Sequence, residues 1–377
     1  MAAPRILISA GEPSGDLHGS GVARALREQW PDAELYGFGG SLMQGAGVSL
    51  RAHVDDLAVM GFAEVARHLP FFVRLLRDTR RELDARPPDL VIPIDYPGFN
   101  MRLARMAKER GIPVLYYIAP QVWAWHSSRV RQLAETSDRL AVILPFEQQL
   151  FEAAGTRALF VGHPLLDRRA EATARAALCA QLGIDPGRPI LALFPGSRAQ
   201  EVRRHLALFE AAAERVRAAR PDVQPVIAAG DAVPAPLYAT ATWPRTRDNQ
   251  ALLQHASAAL VKSGTTTLQA AVAGTPMVIA YRMHPLSYAI ARRVVEVEHV
   301  GLVNLVAGER LAPEFIQDQA TPAALADALL PLLADGPTRT RTLAGLARVR
   351  TALQPPPGAG DAATQVAALA RELIEQR

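Results

Sequence analysis

Three stretches of this chain combine glycine, hydroxyl and charged residues where a short apolar run gives way to an amphipathic one. They are Gly11-Glu12-Pro13-Ser14-Gly15-Asp16, Pro195-Gly196-Ser197-Arg198 and Lys262-Ser263-Gly264-Thr265-Thr266-Thr267. Backbone amides at a helix N-terminus favour anions, and hydroxyls and a guanidinium add directed donors. In Gly196, Ser197 and Arg198, free amides, a hydroxyl and a guanidinium suit a diphosphate. Three threonines in one first helical turn are poor helix formers, and a local cost with no packing reason points to function. The first loop is neither a Walker A loop nor a GxGxxG turn, and Asp16 reads as the N-cap of the helix that follows. Each loop alone is also compatible with an ordinary capped turn. A fourth feature is Asp95, at the end of the apolar run Leu90–Ile94. A carboxylate there sits where active-site loops of α/β proteins lie and is a candidate general base, or else a helix cap. His18 and Asp16 are nearby candidates to share a proton or orient a substrate.

Other chemistries find little support. There is no Asp-x-Asp, HxH or HExxH pattern, and Cys179 is the single cysteine. No disulfide framework, no catalytic metal and no cofactor are expected. The formal charge is 41 − 37 = +4. With arginines dispersed and no basic tail or aromatic RNA-binding motif, nucleic acid is a poor partner. Lys108 and Lys262 are the only lysines. The early apolar run Ile6–Ala10 is too short for a secretory leader, and no run is long enough to span a membrane, so a cytoplasmic protein is expected.

The elements that must position these residues follow a βα alternation. Strands are expected over Arg5–Ala10, Glu34–Phe38, Leu90–Asp95, Val114–Ile118, Arg139–Leu144 and Leu159–Val161. A second series covers Ile190–Phe194, Gln224–Ala228, Ala258–Val261 and Met277–Ala280. Helices are expected over Leu17–Gln29, Asn100–Arg110, Gln200–Ala219, Thr265–Ala273, Pro322–Leu333, Thr338–Ala352 and Ala362–Glu375. The restart predicts an α/β protein of two Rossmann-like, doubly wound domains: 1–165 and 185–354, joined by a linker region at 166–184. The helix within 359–377, after a triple proline, is expected to rejoin the first domain. Phe62–Asp84 differs: Phe71, Phe72, Leu75 and Leu76 are interleaved with arginines, and Pro70 is expected to break the run. Such a segment fits either a core helix with a solvated face or a dock on an anionic bilayer.

At a larger set of residues the chain resembles the lipid-A-disaccharide synthase family. These are the 11–16 loop, Gly61, Asp95-Tyr96-Pro97-Gly98-Phe99-Asn100, Val122-Trp123-Ala124-Trp125, Leu144-Pro145-Phe146-Glu147, Gly162-His163-Pro164, Pro195–Arg198 and Ser263-Gly264-Thr265. The landmarks run through to Gly308, covering nearly the whole chain. The resemblance implies an inverting glycosyltransferase of the GT-B type, with two Rossmann-like domains facing across a cleft. It implies transfer of 2,3-diacylglucosamine from UDP-2,3-diacylglucosamine to 2,3-diacylglucosamine 1-phosphate, as a peripheral protein on the cytoplasmic face of the inner membrane of a Gram-negative bacterium.

Carried onto this sequence, the resemblance puts Asp95 forward as the base, with His18 beside it and Arg198 on the leaving diphosphate. Substrate contacts are expected from Ser14, Gly15, Asp16, Gly196, Ser197, Ser263, Gly264, Thr265, Thr266, Thr267, Tyr281 and Asn304, and Arg282 is expected to face the nucleotide. Gln269 stands where a ribose-binding carboxylate is expected, a departure that weakens that contact. Phe71, Phe72, Leu75 and Leu76 become membrane contacts, Trp123 and Trp125 line an acyl groove or the core, and a homodimer is compatible with the pattern. A different UDP-sugar enzyme of the same fold, such as a UDP-N-acetylglucosamine 2-epimerase, or a non-catalytic sensor of UDP-sugar or lipid, stays open on sequence alone.

Overall fold

A computed structural model describes residues 3–57, 62–121, 127–167, 172–284, 288 and 298–376. The chain forms two compact units, Met1–Asp167 with Leu353–Arg377, and Arg168–Ala352. Each is built on one parallel sheet.

The first unit carries strands β1 (Arg5–Ala10), β2 (Glu34–Gly39), β3 (Ser49–His53), β4 (Leu90–Ile94), β5 (Leu115–Tyr117), β6 (Arg139–Val142) and β7 (Ala158–Phe160). Their order across the sheet is β3-β2-β1-β4-β5-β6-β7. The chain winds outward one way from β1 and then the other way from β4. The reversal leaves a crevice at the carboxyl ends of β1 and β4, the usual ligand position of such sheets. Ala10 pairs with Ile94, so the loops leaving these two strands start side by side. The C-terminal helix Ala362–Glu375 completes this unit. Its Val366, Ala367 and Ala370 share one core with Ile6, Ile8, Leu26 and Ile92, and Gln365 Nε2 donates to Val161 O at 2.7 Å.

The second unit carries β8 (Ile190–Phe194), β9 (Gln224–Ala228), β10 (Arg245–Thr246), β11 (Ala258–Lys262), β12 (Met277–Tyr281) and β13 (Glu314–Ile316), in the order β10-β9-β8-β11-β12-β13. The same reversal recurs between β8 and β11. Phe194 pairs with Val261, so these two exits are also adjacent. Leu193, Leu260, Val278 and Phe209 anchor its core.

The α/β, doubly wound expectation holds for both units, and three details differ. Strands β3, β10 and β13 had no apolar run to announce them. All three lie at sheet edges, where only one side is paired and side chains are partly exposed. The first helix starts at Pro13, not Leu17, because proline fits the first helical position. Asp16 therefore lies inside that helix, and Glu12 is its N-cap. Finally, Pro70 does not break Phe62–Ala85, which is one helix with proline inside it.

Candidate functional site

The first switch point is built from Gly11–Asp16 after β1 and Asp95–Asn100 after β4. Asp95 and Tyr96 both adopt left-handed backbone, with φ of 46° and 48°. That conformation costs a non-glycine residue roughly 1–2 kcal/mol. The cost is met by a hydrogen-bond lock. Asn100 is fully buried, and its Nδ2 lies 3.1, 3.0 and 2.9 Å from the carbonyl oxygens of Ser9, Ile94 and Asp95. Ser9 Oγ donates to Asn100 Oδ1 at 2.5 Å, and Tyr116 Oη donates to Asp95 O at 2.7 Å. Tyr96 Oη reaches Leu57 O at 2.8 Å. The Tyr96 ring then lies against Gly11, where a Cβ would come within 2.2 Å of it. Only glycine fits there.

The Asp95 carboxyl is thereby held in a low-dielectric position. Burial, and then the negative charge of Glu12, push its pKa up to about 6, against a smaller opposing pull from the Tyr96 amide. His18 lies 6.4 Å, ring to ring, from Tyr117. Burial, with His18 adding to it, pushes the neighbouring His163 down to about 4. Asp16 is buried and accepts from the amides of Gly40, Leu42 and Met43 at 2.7, 3.1 and 2.9 Å. Its carboxylate caps the short helix Ser41–Gly45, correcting the expectation that it caps its own. Ser14 is exposed at the helix entrance and Gly15 is buried against Ala10.

The second switch point is built from Pro195–Arg198 after β8 and Ser263–Thr267 after β11. Two of the amides expected to be free, those of Ser197 and Arg198, are not. Glu201 Oε2 accepts from Ser197 N at 2.9 Å and Arg198 N at 3.3 Å, closing the first turn of the helix Ala199–Ala219. Gly196 has φ of +136°, and a Cβ there would meet the Glu201 side chain at 2.4 Å. Glu201 Oε1 pairs with Lys262 Nζ at 2.8 Å. Burial works to raise Glu201, but the Lys262 ammonium and the Ser197 amide outweigh it and hold the carboxyl below its usual range.

Two of the hydroxyls are also engaged. Ser263 Oγ donates to Val300 O and Thr267 Oγ1 to Gly264 O, both at 2.8 Å. What faces outward is the Ser197 hydroxyl, the exposed Arg198, Gly264, and Thr265 and Thr266 at the start of the helix Thr266–Ala273. Gln269 lies half-buried one turn further on. Tyr281, at the end of β12, stacks on His205 at 6.4 Å and lies 5.4 Å from Lys262 Nζ. Arg282 is tied down instead of presented: its guanidinium bonds Gln317 O and Ala320 O. Asn304 is fully buried and bonds Ala312 and Glu314, each at 2.8 Å. It holds the turn at Gly301, whose amide donates to Glu314 Oε1.

A family model described as lipid-A-disaccharide synthetase matches residues 6–356. The chain belongs to this family. A lipid-A-disaccharide synthase from Geobacter sulfurreducens is 40% identical over 380 residues, covering 98% of this chain and 97% of its own. Two solved structures share the fold. The calicheamicin glycosyltransferase superposes with a TM-score of 0.62 at 20% identity, covering 100% of this chain and 99% of its own. A UDP-N-acetylglucosamine 2-epimerase from Listeria monocytogenes, described as putative, does so with 0.67 at 12% identity, covering 100% and 98%. Two parallel-sheet domains of this kind are the GT-B architecture of the glycosyltransferase neighbour.

As a member of the lipid-A-disaccharide synthetase family, the chain brings Asp95 to one switch point and Arg198, Ser197, Gly264, Thr265 and Thr266 to the other. Sequence reasoning gave no role to Tyr116 or Glu201, and it named Asn100 and Lys262 only as members of longer motifs. Glu201 had a visible signal, because a glutamate at the third helical position is half of a capping box. The locking role of Asn100 and Tyr116 had none, since their partners are carbonyls brought close by the sheet. Trp123 and Trp125, with Gly61, lie outside the described residues. Phe71 and Phe72 pack edge to face at 5.5 Å and, with Leu75 and Leu76, are half-buried. Val73 beside them is 59% exposed. The far end of that helix is tethered, with Glu82 Oε1 accepting from Arg5 and Arg51 at 2.9 Å each.

Proposed function

We propose that this chain transfers 2,3-diacylglucosamine from UDP-2,3-diacylglucosamine to 2,3-diacylglucosamine 1-phosphate, with inversion. The products are the β-1,6-linked disaccharide 1-phosphate and UDP. The observation that carries this reading, beside family membership, is the electrostatic split between the switch points: a raised carboxylate on one and outward-facing donors on the other. We assign the acceptor to the first unit and the donor nucleotide to the second. Asp95 takes the proton of the acceptor 6-hydroxyl as that oxygen attacks the donor's anomeric carbon. The bond from that carbon to the diphosphate breaks and its electron pair leaves with UDP. Arg198, the Ser197 hydroxyl and the first-turn donors at Gly264, Thr265 and Thr266 meet the developing charge.

His18 orients the acceptor, with Ser14 and Gly15 at the same entrance. Gln269 and Tyr281 face the nucleotide, while Asp16, Ser263, Thr267 and Asn304 support the loops that do so. Both substrates carry acyl chains, so a membrane dock is required. Among the described residues no helix is long and apolar enough to cross a membrane. The Phe62–Ala85 helix supplies the dock: Phe71, Phe72, Val73, Leu75 and Leu76, beside exposed Arg74, Arg77, Arg80 and Arg81, suit the anionic cytoplasmic face of the inner membrane. A homodimer would present two such helices to one surface.

The test is UDP release from UDP-2,3-diacylglucosamine, with and without 2,3-diacylglucosamine 1-phosphate. Acceptor-dependent release in the native chain, lost in Asp95→Asn, is the expected result. Sugar inversion at C2 without acceptor would indicate an epimerase, and UDP binding without turnover a sensor.

A further inference from the structure

We propose that Lys262 is a second cation of the diphosphate subsite, steered into place by Glu201; this rests on the donor assignment to the second unit. The chain has 41 Lys+Arg, of which two are lysine and 41 − 2 = 39 are arginine. The other lysine, Lys108, is paired with Asp138. Lys262 ends β11 at the switch point, with its side chain only 18% exposed. An ammonium so far out of water needs a partner, and Glu201 is that partner.

The pair does more than neutralise itself. One Glu201 oxygen holds the amides of Ser197 and Arg198 while the other holds Lys262 Nζ. The carboxylate thus bridges the two loops expected to meet one diphosphate. The ammonium is set over the second loop, 3.6 Å from where a Cβ on Gly264 would stand. Its other close neighbour is the face of Tyr281. An ammonium carries three N–H donors. Among the described residues Glu201 takes one and the Tyr281 ring lies toward another, and the third is left on the side of Gly264, in the loop that leads into Thr265 and Thr266. A diphosphate oxygen held by those residues completes the set. Lysine suits the position because it acts as a point charge on a flexible stem, where the exposed Arg198 supplies the planar fork. It also offsets the repulsion that Glu201 alone would exert on an anion.

The experiment is titration calorimetry of the full-length chain with UDP and with uridine. The proteins are native, Lys262→Met, Lys262→Gln, Glu201→Gln and the double variant Lys262→Met/Glu201→Gln. Both lysine variants are expected to weaken UDP by about tenfold or more, with uridine binding unchanged. Uridine affinity doubles as the check that the unit is folded. The double variant is expected to stay as weak for UDP as Lys262→Met. Recovery of native UDP affinity in the double variant overturns the proposal, because Lys262 would then only cancel Glu201. Equal weakening of UDP and uridine, or no weakening in the lysine variants, also overturns it. A native chain that binds UDP no better than uridine breaks the donor assignment itself.

Discussion

The two switch points have the same strand topology and opposite chemistry. In the first, Asp95 is a carboxylate with no cation paired to it among the described residues; burial and Glu12 raise it to about 6. In the second, Glu201 is also partly buried, but Lys262 and a backbone amide pull it below its usual range. The first is a carboxylate raised toward neutral pH, and the second is an anchored counter-ion. Topology decides where a site lies; the charge next to each carboxylate decides what that carboxylate can do. The backbones differ likewise. The first site stores strain at Asp95 and Tyr96 and locks it with Asn100, whereas the second uses glycine where a positive φ is needed.

Removing the proposed base is the harshest way to break this comparison. Asp95→Asn is expected to lower kcat by roughly 10²–10⁴ while leaving UDP affinity unchanged. A matching loss of UDP binding would put Asp95 on the wrong substrate. Arg198→Ala is expected to cost about 10²-fold in kcat/KM through the leaving group. Its uridine affinity should hold, and a loss confined to acceptor KM would undo the assignment.

Asn100→Ala tests the lock. It leaves Ser9 Oγ and three carbonyls short of a partner, so thermal unfolding should show a loss of about 1–3 kcal/mol. A kcat deficit should accompany it, since Asp95 is no longer held; full activity would show that the strained turn needs no lock.

The pH dependence sharpens the comparison further. In its proposed role Asp95 works only when ionised, so kcat/KM should rise with a midpoint near pH 6 and flatten above it. The stability sign is opposite. A carboxyl raised by folding favours its neutral form, so its burial is harmless below the unfolded pKa and destabilising as pH rises through 6. Asp95→Asn should therefore melt higher than native at pH 8, with the gap gone at pH 3.5. The smallest expected effect is Gln269→Glu, which restores a charged ribose acceptor and should tighten UDP a few-fold. Weaker binding would mean that Gln269 does not face the ribose.

The alternation of apolar and amphipathic runs determined both sheets and the interior strands, because a strand covered on both faces must be apolar throughout. Glycine, proline and hydroxyls, needed where a strand turns sharply into a helix, located three of the four switch-point loops, and a carboxylate at the end of an apolar run located the fourth. Edge strands β3, β10 and β13 escaped it because their exposed faces carry polar residues. Which donors stay open was decided only by tertiary structure. Asp16, Ser263, Thr267 and Asn304 have the right residue types, yet their polar atoms are engaged by groups from 3 to 37 positions away in the chain. Glu201 and Lys262 are 61 positions apart and meet only because β8 and β11 are neighbours. Sequence spacing carries the periodicity of local structure. Hydrogen bonds between distant segments, and the pKa values they set, exist only once the sheet has brought those segments together.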